Sequence, residues 1–393
     1  MSLQADLLHP ELGFFDEDCD LADPETYAEA RKPFGKARTL PPFAYRSKAF
    51  LELENEKIWT RDWVAIGLSL QIPNAGDLLP FTTGFHGVHA QRDADGGIAA
   101  RFNFHQHGGC RFVPEQCRTG KQTKCSIASC NYTRDADAIP ALCSGENSPE
   151  MYKFVGINPD KLKPVRSTRL GPVIAINVDP GASDAPSLQC LDALEGRFTL
   201  AAHKWLDFKC NWKLLGAAFV GAGQSLRLHQ TGELPEALEA TAAARDTFAF
   251  AADTGSADTL KLVWLFPNLL VAISPTHTVT VVMQATGMGD TLCRVSVLVP
   301  EGVANGVAAK DAVAHWPAAL QRVGAMAEKS HRCMAEWGTP NQPDTVNRGP
   351  MPETNFARYA ANQYVLSKVL TEHELHWQAP IMDARMMQRK GSR

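Results

Sequence analysis

Residues able to bind a metal arrive in two clusters: HQHGGC, from His105 to Cys110, and CSIASC, from Cys125 to Cys130, with seventeen residues between His107 and Cys125. Imidazole nitrogens and thiolate sulfurs are the ligands of zinc and of iron–sulfur centres. Two such clusters on separate loops are a common way for a chain to clasp one centre. Other candidates are weaker. GAAFVGAGQS, from Gly216 to Ser225, has glycines but no preceding strand and no Lys-Ser/Thr, so it is not a phosphate loop. No Gly-x-Ser-x-Gly elbow occurs. His86 and His89 lie three apart on a strand-and-turn stretch, where they do not share a face cleanly, and read as surface histidines. His373 and His376 lie three apart on an expected helix without a third ligand nearby, and read as solvent-exposed.

The elements that must position these residues can be read from composition and pattern. The 393 residues suffice for two domains with real cores. With 45% hydrophobic and 21% charged residues and a net charge of −4, the composition is that of a soluble protein, giving no reason to expect nucleic acid or an anionic membrane as partner. No apolar run approaches the roughly 20 residues that span a bilayer. The acidic start, MSLQADLLHPELGFFDEDCD, lacks the features of a signal peptide, so a cytoplasmic location with reduced or metal-bound cysteines is expected. Residues 1–45 are polar and proline-punctuated and read as an arm wrapping a surface. A helix is expected from Ser47, with Phe50, Leu51, Leu53 and Ile58 on one face. Residues 46–160, β-rich after Trp63, read as a compact β domain carrying the two ligand clusters. Residues 161–393 read as an α+β domain, with a helix at NWKLLGAAFVGAGQSLRLHQ, a run of strands, and late helices at 307–336 and 356–376.

Several phrases, in order, give this organisation a relative: ARTLPPFAY, EKIWTRDWVAIGLSLQIPNAGD, DADGGIAARFN, NWKLL and LFPNLL. The chain resembles the α subunit of Rieske non-heme iron oxygenases, near the choline, glycine-betaine and carnitine monooxygenase branch of the ring-hydroxylating family. The resemblance implies a Rieske [2Fe–2S] β domain followed by a helix-grip, START-like catalytic domain. It also implies a head-to-tail trimer in which electrons pass from one subunit's cluster to the next subunit's mononuclear iron(II).

The ligand positions depart from that pattern. The family's cluster loops, Cys-x-His and Cys-x-x-His, fall on His105, His107, Cys125 and Ala128. Ala128 has no donor atom, and a neutral imidazole at His105 replaces a thiolate. The residues after the last ligand are Ser129 and Cys130 in place of Gly and Trp. At the iron site the first histidine position is Gln224, the second is His229, and the acid that links the two centres is Gly221. Ala217-Ala218 stand where a Glu-Asn pair normally precedes the phenylalanine of this helix, here Phe219. The third ligand position falls on Gln363 in YAANQYVLSKVL, with Asp383 as a fallback carboxylate. Ligands at both metal sites and the linking acid are lost together, while NWK, FPN and NAGD persist.

An ordinary Rieske cluster and an ordinary iron(II) site are therefore not expected. The leading expectation is a degenerate α-subunit homologue, serving as structural or regulatory partner of an active α-type paralogue in a homo- or hetero-trimer. One alternative is an active monooxygenase or N-demethylase of a quaternary-ammonium or aromatic substrate that uses altered ligands. Another is a small-molecule or zinc-binding protein, with Phe219, Trp264 and Phe266 lining the old cavity. His107, Cys110, Cys125 and Cys130 have the residue types of a tetrahedral zinc site, with Cys117 as a substitute. A Cys110–Cys130 bridge, as some Rieske proteins have, and buried free thiols are the other readings. The expected outcome is inert thiols, with Cys110→Ser and Cys130→Ser melting like the parent. Release of zinc with a sharp fall in the thermal midpoint would identify a clasp, because metal binding is then coupled to folding.

Overall fold

The first substantial helix starts where the sequence signals it. Ser47 is its N-cap, with Oγ accepting from the Phe50 amide at 3.4 Å. It follows a single turn, α1 (Phe43–Arg46), and forms α2 (Lys48–Glu54), which continues as a π turn over Asn55–Trp59. A computed structural model describes residues 20–84, 86–102, 138, 164–182, 184–185, 189–192, 194, 196–231, 240–244, 247–253, 261–302, 306–335 and 350–371. The chain falls into two compact units, one taking Ala65–Ala185, the other the residues up to Val64 with Pro186–Leu370.

Among the described residues, the smaller unit is built on a sheet of six strands, in the order β1-β6-β5-β4-β3-β2. Their ranges are β1 (Val64–Leu68), β2 (Leu78–Thr83), β3 (His86–Arg92), β4 (Ile98–Phe102), β5 (Pro164–Leu170) and β6 (Val173–Asn177). β2 to β6 pair antiparallel in succession. The NAGD phrase makes the turn into β2. Gly76 has φ +88°, Asp77 Oδ2 accepts from the Asn74 amide at 2.8 Å, and the Gly76 amide donates to the Arg92 carbonyl. β5 and β6 complete this sheet, so the division near residue 185 lies later than the expected one at 160. The expected boundary followed a polar, proline-bearing stretch, whereas strand pairing keeps residues 164–177 with the first sheet.

The larger unit has an antiparallel sheet of seven described strands, ordered β7-β13-β12-β11-β10-β9-β8. These are β7 (Phe198–Phe208), β8 (Ala240–Ala244), β9 (Thr247–Asp253), β10 (Lys261–Leu265), β11 (Leu269–Ile273), β12 (Thr278–Gly287) and β13 (Asp290–Pro300). The helices after a short α3 (Gln189–Asp192) are α4 (Trp212–Thr231), α5 (Val307–Ala335) and α6 (Phe356–Val369). The register puts Trp264, Leu270, Val281, Val295, Leu206 and Phe208 on one face. Two glycines let helices reach that face. A Cβ on Gly216 of α4 would sit 2.5 Å from the Trp264 ring, and one on Gly324 of α5 would sit 2.0 Å from Phe208. Helices packed on one face of an antiparallel sheet give the α+β arrangement expected.

The phrase NWK holds the start of α4. Asn211 Oδ1 accepts from the Lys213 amide at 3.1 Å, and its Nδ2 donates to the Met288 carbonyl at 2.9 Å. Trp212 packs edge-on against Trp59 at 5.2 Å and Phe266 at 5.4 Å between ring centres. Lys213 is 1% exposed and pairs with the equally buried Glu54; its Nζ also donates to the Ala44 carbonyl at 2.9 Å. Trp212 Nε1 donates to the second Glu54 oxygen at 3.3 Å. FPN has a comparable task in the β10–β11 loop, where Asn268 exchanges two hydrogen bonds with the Met283 backbone of β12, at 3.0 and 2.8 Å.

A buried charge left without its partner costs more than the pair contributes. Lys213→Met is therefore expected to lower unfolding stability by about 3–5 kcal/mol. Adding Glu54→Gln, which keeps an acceptor for Trp212, should recover most of the loss. Urea unfolding of the single and double variants measures both; a double variant no more stable than the single would show that the lost charge balance is not the cause.

Candidate functional site

The positions singled out for the Rieske cluster and for zinc, namely His105, His107, Cys110, Cys117, Cys125, Ala128 and Cys130, lie outside the described residues, as do His373, His376 and Asp383. Gly221, Gln224 and His229 are all on α4, and Gln363 is on α6. The side chains of Gln224 and His229 lie outside the described ones. The structure brings α4 and α6 together: a Cβ on Gly221 would stand 3.0 Å from Asn355 Nδ2, and Asn355 is the N-cap of α6, accepting from the Arg358 amide at 3.0 Å. Glycine at 221 is thus what allows this close approach, and a side chain there would displace Asn355.

Gln363 faces elsewhere. Its Nε2 donates to the Ala30 carbonyl at 2.7 Å, so its amide is engaged by the N-terminal arm. The buried stripe of α6 is Ala357, Ala361, Asn362, Val365, Leu366 and Val369. Neither α4 nor α6 contains a single Asp or Glu. A facial triad for iron(II) needs two imidazoles and a carboxylate. The donors these helix sequences offer are one histidine, neutral amides and hydroxyls, with no carboxylate, and that set does not fit the triad.

The buried acids described in the larger unit are Glu54, Asp62 and Glu353, and each has a cation. Glu54 holds Lys213. Asp62 accepts from Lys368 Nζ of α6 at 2.6 Å, and Glu353 takes Arg358 in a fork at 2.7 and 2.8 Å. Burial pushes the Glu54 carboxyl up and the Lys213 ammonium down, and their mutual attraction opposes both shifts. Among the described residues, no group of three or more His, Cys, Asp or Glu is placed to hold a metal ion. Nor is any described helix long and apolar enough to cross a membrane.

Glu54 was not singled out from sequence, although it lies four residues after Phe50 and four before Ile58, on the apolar face of its helix. Phe219, Trp264 and Phe266 are all buried; Trp264 packs against Gly216 and Phe266 meets Tyr364 at 4.5 Å. They are core residues here. The thiols of Cys210 and Cys293 are fully buried and not bridged, and burial pushes Cys210 up to about 12.

Comparison with known proteins agrees with this architecture. No family model matches the chain. The large oxygenase component of salicylate 5-hydroxylase from Ralstonia sp. is 32% identical over 99 residues, covering 25% of this chain and 23% of that protein. Biphenyl 2,3-dioxygenase subunit alpha from Rhodococcus jostii (strain RHA1) is 26% identical over 201 residues, covering 46% of this chain and 40% of the relative. The matched stretch thus spans less than half the length of these curated relatives. Naphthalene 1,2-dioxygenase superposes with a TM-score of 0.58 at 14% identity, over 95% of this chain and all of that one. The quaternary ammonium Rieske monooxygenase CntA does so with a TM-score of 0.56 at 14% identity, over 85% and 96%. The chain is a relative of the Rieske oxygenase α subunits. Its two-part α+β fold is theirs; the positions that the sequence resemblance assigned to iron ligands, Gln224, His229 and Gln363, fall on α4 and α6, whose sequences hold no carboxylate.

His86 and His89 correct the expectation of surface histidines. Both lie on β3 and are only 5% and 2% exposed. A strand buried on both faces takes in residues of either parity, which is why an odd spacing did not leave one of them outside. His86 meets the Phe102 ring edge-on at 5.8 Å, and His89 pairs across the sheet with Arg101. Burial lowers both imidazoles to about 4, with Arg101 adding to the shift at His89. The ordinary value is about 6.5, so over this window the unfolded chain binds more protons than the folded one. The associated stability is present at neutral pH and lost as pH falls from about 6.5 towards 4, on the order of 2–3 kcal/mol per histidine. Protection factors of the β3 amides, taken relative to intrinsic exchange at each pH, should fall across that range in the parent and much less in His86→Phe/His89→Leu. Parallel falls in both would assign the acid sensitivity to other groups.

Proposed function

We propose that this chain is a non-oxygenase member of the Rieske oxygenase α-subunit family. In this reading it is a pseudo-subunit that keeps the two-part fold and assembles, as a trimer, with an active α-type paralogue in the cytoplasm. The carrying observation is that the two helices on which such a fold would build its iron site hold no carboxylate, while the buried acids around them are matched by cations. A vacant carboxylate would require a metal or a proton; a closed set of ion pairs requires neither. The loss of a donor at Ala128 and of a thiolate at His105 supports the same reading for the cluster loops. What remains for the chain to offer is its surface and its rigidity, which is what a stabilising or regulatory subunit supplies.

Purified without a tag and reconstituted anaerobically with iron and sulfide, the protein should carry well under one [2Fe–2S] cluster per chain. Electron paramagnetic resonance of the reduced sample reads this, and a stoichiometric Rieske signal would sink the proposal. Mixing with an active α-type subunit and measuring particle mass should show mixed trimers. Strictly separate assemblies would remove the partner role.

A further inference from the structure

The arm and α6 meet along a single stripe. Phe356, Tyr359 and Gln363 are spaced i, i+3 and i+7, and so share one side of the helix. All three are engaged by residues 30–34. Phe34 packs edge-on to Phe356 at 5.2 Å and against Tyr359 at 5.4 Å; the Tyr359 hydroxyl donates to the Lys32 carbonyl at 3.1 Å. At the far end of the stripe Gln363 Nε2 donates to the Ala30 carbonyl at 2.7 Å. Ala30 is 2% exposed and Tyr27 is 1%, whereas Phe34 is 43% exposed, so the arm is buried at its Gln363 end and open at its tip. On a helix of 3.6 residues per turn, Gln363 lies about 160° from Val365 and Ala361, two of the most buried residues of α6.

We propose that Gln363 is the latch that holds the arm around Ala30 on α6, through its amide as donor. A carboxylate at this position therefore cannot rebuild a metal site. The statement about metal rests on the non-oxygenase reading; the latch does not. The donor is the decisive atom. A carboxylate at 363 would set an acceptor against the Ala30 carbonyl, two negative ends facing each other in a part-buried place. A lysine would still donate. The position is thus selective for hydrogen-bonding character rather than size, which mere packing would not produce.

Chymotrypsin cleavage after Phe34 in the full chain tests the latch, because this exposed bond is cut when the arm lifts. Gln363→Glu and Gln363→Met, which both lack the donor, should be cut about five- to tenfold faster than the parent, and Gln363→Lys at close to the parental rate. The methionine variant reads the same loss if the glutamate variant does not fold. Cleavage of both donor-less variants at the parental rate overturns the latch, as does equal acceleration in the lysine variant. For the metal, Gln224→His/Gln363→Glu is titrated anaerobically with iron(II). No uptake beyond that of the parent is expected, and one tight iron per chain overturns the inference. Tight iron in the parent itself would instead defeat the non-oxygenase reading, leaving the cleavage rates to judge the latch alone.

Discussion

The ammonium of Lys213 is buried against the Glu54 carboxylate, and much of the larger unit depends on that contact. Two charges taken from water cost several kcal/mol each unless their geometry and remaining hydrogen bonds are good. Here the remaining positions are filled: Lys213 reaches the Ala44 carbonyl, Trp212 reaches Glu54, and the rings of Tyr45, Phe50 and Trp212 surround the cation at 5.2–5.4 Å. The pair joins α1 and α2 to the first turn of α4. Since Trp212 also touches Trp59 and Phe266, fixing Lys213 fixes the helix on the sheet. The constraint is directional, because the ammonium must meet both the Glu54 carboxylate and the Ala44 carbonyl.

Phrases that resemble those of the Rieske family are, in this chain, the ones with geometric work. Asn211 caps a helix, Lys213 closes an ion pair, Asn268 ties a loop to the next strand, and Gly76 with Asp77 makes a turn. Each does its work whether or not metal is present. Gly221 and Gln363 have structural tasks of the same kind: the first admits Asn355 against α4, and the second donates to the Ala30 carbonyl of the arm.

Much of the fold was legible because hydrophobic period and turn residues are local signals. The Ser47 cap, the helix from Trp212 and the strand run from Lys261 to Pro300 all appear where periodicity puts them. The domain boundary was not legible, since β5 and β6 are assigned by pairing with distant β4 and β1, and pairing leaves no mark in a single stretch of sequence. His86 and His89 misled for a related reason. Polarity suggested the surface, but burial is decided by what packs on each face of β3. Glu54 was hidden by its charge, although its spacing from Phe50 and Ile58 already put it on the inner side.

Each buried acid described in the larger unit is paired with a cation. In a carboxylate-bearing iron site the metal is the counter-ion, and removing it leaves buried negative charge that must be protonated or moved. In this chain the described cations on α4 and α6 are Lys213, Arg358 and Lys368, and the acids that meet them come from outside those helices, at Glu54, Glu353 and Asp62. The sign pattern is therefore inverted: the helices are positive and their surroundings supply the negative partners. The buried acids described in the larger unit are already engaged by these cations. Restoring one ligand at a time would therefore add a lone negative charge to a set of acids and cations that are already paired, and those pairs tie α4 to α2 through Glu54 and α6 to the segments holding Asp62 and Glu353.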